Sequence, residues 1–241
     1  MDRVIYLTMA GAKANLQRQD VLAHNLANAS TPGFRAEMTA FRAVPVQGDA
    51  AATRVYAIES TPGYNPEPGP IATTGRPLDV ALKGNAWLAV QAVDGTEAYT
   101  RHGALDVDSE GLLITRSGLP VQGDGGPINV PPNAQVMIGG DGTVTATSPG
   151  GRPQAIGRLK LVTPEAPLRR GDDGLFRAAG GELDADPNAR LQAEALEGSN
   201  VSPVESMVAM IAAARQFEQQ MKMLQSAQDR EQSATRLLSS S

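Results

Sequence analysis

Apolar residues recur near the N-terminus at Ile5, Met9, Ala12, Leu16, Ala23 and Leu26, and Gln19 completes a spacing of 4, 3, 4, 3, 4, 3. That spacing is the seam of a coiled coil and predicts a helix over residues 2–29. At 1.5 Å per residue the helix would span roughly 42 Å. Its end is sharply marked by the stretch HNLANASTPGFR, residues 24–35. Asn28 is expected to close the helix in the left-handed conformation, and Pro32 and Gly33 to take the two central positions of a type II turn.

The pattern then changes. From residue 36 to 196, short runs of Val, Ile, Leu and Thr alternate with Gly and Pro. Strands are predicted near 54–58, 79–82, 86–92, 97–101, 104–107, 112–115, 119–122, 134–138, 143–147 and 156–162. The turns between them include VDGT, DSEG, GDGG and GGDGT, three of them with Asp-Gly, which suits tight antiparallel connections. Residues 61–77 (TPGYNPEPGPIATTGRP) read as an extended Pro/Gly-rich crossing.

A second helical pattern opens at Ser202, an N-cap followed by Pro203 at the first helical position and Glu205 three residues after the cap. Its apolar face is Val204, Val208, Ile211, Ala214, Phe217, Met221 and Leu224, and the pattern runs to Leu238. The expected fold is therefore α+β: an axial helix and turn over 1–35, a β-rich domain over 36–196, and a second helix over 197–241. The two terminal helices are expected to pair as an antiparallel coiled coil with the β domain inserted between them. Such a pair still leaves Ala, Met and Leu on its flanks, so neighbouring protein chains are expected to cover them.

Composition narrows the possible partners. Of 241 residues, 41% are hydrophobic but only 4% aromatic, and the net charge is −5. That mild acidity argues against general nucleic-acid binding. Residues 1–35 carry four basic and two acidic side chains, too few cations to make a strong membrane-surface helix. No apolar run reaches the ~18 residues of a membrane-spanning helix, so no direct membrane insertion is expected. The first apolar stretch is broken by Thr8, Gly11, Lys13 and Asn15, so no cleaved signal peptide is expected either.

Candidate chemistry is sparse. There is no Cys, which removes disulfides and thiolate metal sites. DVDSEG (106–111) resembles half of an EF-hand loop, but Ser117 stands where the bidentate Glu belongs, and a hairpin turn is the better reading. His24 and His102 have no ligand cluster around them in sequence. The Gly-rich stretches lack a strand-to-helix context for phosphate, no GxSxG occurs, and no carboxylate pair stands out. The Asn28-Ala29-Ser30 sequon falls at a predicted helix end and is read as chance. Met207, Met210, Met221 and Met223 sit at helical spacing and are read as packing residues. No catalytic, metal or cofactor-binding residue is expected.

HNLANASTPGFR and LEGSNVSPVESMVAMIAAARQFE (196–218) together resemble the paired terminal signatures of bacterial flagellar rod and hook proteins. TGRPLDVALKGNAWLAVQ (74–91) and AYTRHGALDVDSEGLLITRSGLPVQGDGGPI (98–128) are most similar to proximal-rod members of that family. The resemblance implies a non-enzymatic structural subunit of the basal body, part of the rod that crosses the periplasm and transmits torque. It implies export through the flagellar type III apparatus, and partners among inner proximal-rod subunits, distal-rod subunits and copies of the same chain. A distal-rod or hook paralogue is the alternative within the family, and a secreted cell-wall hydrolase the alternative outside it. The expected assembly interface is the two stripes: Ile5, Met9, Ala12, Leu16, Ala23 and Leu26, then Val204, Val208, Ile211, Phe217, Met221 and Leu224. Asn28, Pro32, Gly33, Ser202, Pro203 and Glu205 are the expected turns and caps.

Overall fold

A computed structural model describes residues 2–45 and 55–239 of the chain. They divide into two compact units: a helical unit of Met1–Ala29, Ala36–Asn65 and Val201–Ser241, and a β unit of Ser30–Arg35 and Pro66–Asn200.

In the helical unit, α1 (Asp2–Ala27) and α2 (Pro203–Ser239) lie against each other. Beside α1 runs an antiparallel hairpin of β1 (Glu37–Pro45) and β2 (Val55–Tyr64), with a bulge between Met38 and Ala40. Arg54, at the start of the predicted strand 54–58, lies outside the described residues.

The expected coiled coil is corrected by which side chains are covered. Met9 and Leu16, two members of the predicted seam, are exposed, and so are Val204, Val208 and Ile211 on α2. Of the predicted seam on α1, Ala12 is buried and Gln19 and Leu26 are half-buried; Asn15 and Asn25, outside the seam, are buried, and Thr8 and Leu22 half-buried. On α2 the covered positions are Ser206 and Ala213, with Met210, Phe217, Gln220 and Leu224 half-buried. Small and polar residues hold the most covered positions, and the large apolar residues Leu22, Leu26, Met210, Phe217 and Leu224 are covered only in part, so no seam of interlocking large apolar knobs forms. Gly11 shows why: a Cβ there would meet Gln220 Nε2 at 2.9 Å, so the two helices approach closely where side chains are short. Asn15 Nδ2 and Gln220 Oε1 are buried in this region without a hydrogen-bond partner.

The β unit holds the apolar core. Its largest sheet has five antiparallel strands in the order Leu161–Val162, Trp87–Gln91, Glu97–Thr100, Phe176–Arg177, Arg169–Arg170. A three-stranded antiparallel sheet is formed by Gln135–Ile138, Thr143–Thr147 and Gln154–Arg158. Leu88, Val90, Ala98, Leu105, Leu113, Val121, Val144, Leu159 and Leu161 pack into one cluster. Most strands fall where Val/Ile/Leu alternation places them. The predicted run 156–162 splits in two, and Glu37–Pro45, Ile71–Thr73, Gly126–Pro127, Arg169–Arg170, Phe176–Arg177, Leu191–Ala193 and Ala195–Glu197 form strands that the alternation does not mark. Three of these are short and pair with segments far away in sequence: Ile71–Thr73 with Ala195–Glu197, and Leu191–Ala193 with Val80–Leu82. Inside the stretch 61–77, β2 continues to Tyr64, and Ile71–Thr73 is one of these strands.

Candidate assembly interface

The stop after α1 is built from side-chain amides. Asn28 does not take a positive φ. Its Nδ2 donates instead to the His24 carbonyl at 2.9 Å, and its N–H reaches the same carbonyl at 3.2 Å. The left-handed closure expected at this position is thus replaced by an amide that satisfies a terminal carbonyl of the helix. Asn25 is buried and clasps the start of β1: its Nδ2 donates to the Glu37 carbonyl at 2.9 Å, and its Oδ1 accepts the Glu37 N–H at 2.8 Å. One side chain so completes both backbone groups of a residue at a strand end. His24 Nδ1 lies 3.1 Å from Glu37 Oε2.

The turn that follows has the expected form. Phe34 N–H donates to the Thr31 carbonyl at 3.2 Å, and Gly33 has φ +70° at the position where a type II turn requires it. Phe34 is buried, with the Arg170 guanidinium 4.5 Å from its ring centroid.

Sequence reasoning overlooked the most heavily bonded group in the β unit. Glu197, within the C-terminal signature, is buried between Arg35 and Arg101, and none of the three is more than 2% exposed. Glu197 Oε1 accepts from Arg35 Nη1 at 2.7 Å, and Oε2 accepts from Arg101 Nε at 2.7 Å and Nη2 at 2.5 Å. Main-chain carbonyls add further bonds: Arg35 Nη1 also donates to that of Glu67 at 2.6 Å, and Arg101 to those of Leu82, Gly84 and Ala86 at 2.7 to 2.9 Å, while Arg35 Nε is buried without a hydrogen-bond partner. The usable clue was that three of the four quoted motifs, those holding Arg35, Arg101 and Glu197, place a charged residue beside residues that read as interior.

At the head of α2, Ser202 Oγ accepts the N–H of Glu205 at 3.4 Å, and Pro203 is the first helical residue. Beyond it the predicted stripe is open to solvent: Val204 is 70% exposed and Ile211 55%, with Val208 and Met221 also exposed. Phe217 and Leu224 are half-buried. On α1, Leu16 is 45% exposed, Met9 and Ala23 are exposed, Ala12 is buried and Leu26 half-buried. Ile5 lies within α1, but its side chain falls outside the described residues. Met207 and Met223 add to the exposed apolar surface of α2. Isolated apolar residues on a surface are ordinary; here Val204, Met207, Val208 and Ile211 follow one another along α2, all exposed.

DVDSEG forms the hairpin turn between Leu105–Val107 and Leu113–Thr115, where Asp108 Oδ1 accepts the N–H groups of Glu110 and Leu112 at 2.9 and 2.8 Å. Among the described residues no group of three His, Cys, Asp or Glu is placed to hold a metal ion, and no helix is long and apolar enough to cross a membrane. Burial holds the His102 imidazole below its ordinary range, with the Arg116 charge adding to the effect and Asp79 opposing it. Burial, reinforced by a hydrogen bond to Glu97 at 2.7 Å, pushes the Tyr99 phenol well above its usual value. Each shift has burial as its largest cause.

Comparison with known proteins adds three family matches. Residues 5–35 match the family model "Flagella basal body rod protein", residues 81–146 "Flagellar hook protein FlgE/F/G D1 domain", and residues 192–237 "Flagellar basal body rod FlgEFG protein C-terminal". The chain is 50% identical to the flagellar basal-body rod protein FlgF of Salmonella typhimurium and 49% identical to that of Escherichia coli, in each case over 100% of both chains. It is 30% identical to the flagellar basal-body rod protein FlgG of Bacillus subtilis, over 93% of this chain and 94% of the relative.

Proposed function

The chain belongs to the flagellar basal-body rod proteins, and from that premise we propose that it is a proximal-rod subunit which packs into the shaft through the exposed stripes of α1 and α2. It is a structural component of the bacterial flagellar rod and serves motility. Its neighbours in the basal body are inner proximal-rod subunits, distal-rod subunits and further copies of itself. It reaches them through the flagellar type III export apparatus, and it carries out no catalysis.

The observation that carries this reading is the exposed apolar run Val204, Met207, Val208 and Ile211 on α2, with Met9 and Leu16 on α1. Branched and thioether side chains of this size gain free energy when covered, at ~25 cal/mol per Å² of apolar surface. A rod offers cover on several sides of each helix, and packed helices resist bending as a torque-bearing shaft must.

The experiment places Asp at Leu16 or at Ile211 in the full-length protein and expresses it in cells lacking the native copy. The expected outcome is loss of swimming, with the variant missing from purified basal bodies although the cell makes it. Normal swimming with both variants would overturn the proposed interface.

A further inference from the structure

Rod assembly gives no role to the buried charges of the β unit, although they are its most densely bonded group. Arg35, Arg101 and Glu197 bring two positive charges and one negative to a site that water does not reach. Glu197 also joins the strand ladder with Ile71–Thr73, its Oε1 accepts the Gly69 N–H at 3.0 Å, and its carbonyl accepts the Gly33 N–H at 2.7 Å. Without the carboxylate, the carbonyls of Leu82, Gly84 and Ala86 would still hold Arg101 and that of Glu67 would hold Arg35, but neutral carbonyls could not offset either charge. Two like charges would then be buried close together in a medium of low dielectric, an arrangement that strongly favours opening.

The order of these residues along the chain gives the cluster a consequence. Both cations lie far upstream of the one anion, and a fragment spanning 36–196 lacks both Arg35 and Glu197. We propose that Glu197 is the closing latch of the β unit: the unit stays open until the segment beyond residue 196 brings this carboxylate between Arg35 and Arg101. A chain emerging N-terminus first therefore cannot bury Arg35 and Arg101 together without an uncompensated charge until nearly all of the unit has been delivered. The inference concerns folding and does not depend on the rod assignment.

The full chain provides its own reporter. Trp87 is its single tryptophan, and the Arg101 guanidinium lies 5.9 Å from the ring centroid. Denaturant unfolding followed by Trp87 fluorescence would compare the native chain with Glu197→Gln, Arg35→Met and the double variant. Glu197→Gln is expected to raise the ratio of open to closed unit about a hundred-fold or more. Adding Arg35→Met restores the native net charge of the cluster, and the double variant is expected to be more stable than Glu197→Gln alone. If Glu197→Gln yields no folded protein, the double variant is still expected to fold. A double variant as unstable as Glu197→Gln, or more so, or one that also fails to fold, would overturn the latch and leave Glu197 as a packing residue.

Discussion

Gly33 shows how a single residue can be demanded by both its own backbone and a neighbour's. Its φ is +70°, and a Cβ there would come within 2.3 Å of the Arg101 carbonyl carbon and oxygen. Backbone atoms cannot swing aside as a side chain can. Gly33→Ala is therefore expected to lower the stability of the β unit by about 2 kcal/mol or more, the left-handed backbone alone accounting for about 1–2. Urea unfolding followed through Trp87 would measure it. His102 supplies a pH-dependent case. Its imidazole is held below the ordinary value, so the unfolded chain takes up the proton first as pH falls. The associated stability is complete above the unfolded pKa near 6.5 and is lost as pH drops through the lower folded value. Stability should fall from pH 7.5 to pH 5.5 in the native chain and fall less in His102→Gln, as read by unfolding midpoints at the two pH values. The Pro32-Gly33 turn was legible because its chemistry is local. The Asn28 closure was misread because Asn supports two local solutions, a left-handed backbone or an amide bonded to a carbonyl, and composition does not choose between them.

At the scale of elements, both helices were legible in kind and nearly in length, because a 3.6-residue period with a cap and a stop is a strong local signal. Ser202 is the clearest example: its hydroxyl accepts the Glu205 N–H ahead of a helix of 37 residues. Ser202→Ala should cost ~1 kcal/mol of helix stability, visible as a lower far-UV melting midpoint, while Ser202→Asp should retain it. The covered face of each helix was legible only in part. The predicted stripes held Ala12, which is buried, and Leu26, Phe217 and Leu224, which are half-buried, but they also held Leu16 and Ile211, which stay outside. Close approach favours small residues, so Ala213, outside the predicted stripe, is buried. The strands repeat the lesson. Thr143–Thr147 announces itself by alternation, whereas Ile71–Thr73 exists because Ala195–Glu197 pairs with it.

For the whole molecule, two units divide two tasks. The β unit holds the apolar core and the buried charges, and the helical unit holds the exposed stripes. Substitutions on the stripes should therefore leave the β unit intact. Leu16→Asp and Ile211→Asp are expected to shift the Trp87 unfolding midpoint by no more than the ~0.5 kcal/mol typical of surface changes, even as they abolish swimming. A large fall in that midpoint would mean that the motility defect reflects misfolding and says nothing about the interface.

By itself the sequence determined the two long helices, their cap and stop, the type II turn and most of the strands. Each of these depends on backbone preferences and side-chain periods spanning a few residues. Which helix face is covered, which short segments become strands, and which three charges meet were decided only by the tertiary structure. Those outcomes rest on how closely surfaces can approach and on charges brought together from distant parts of the chain, and no local pattern encodes either.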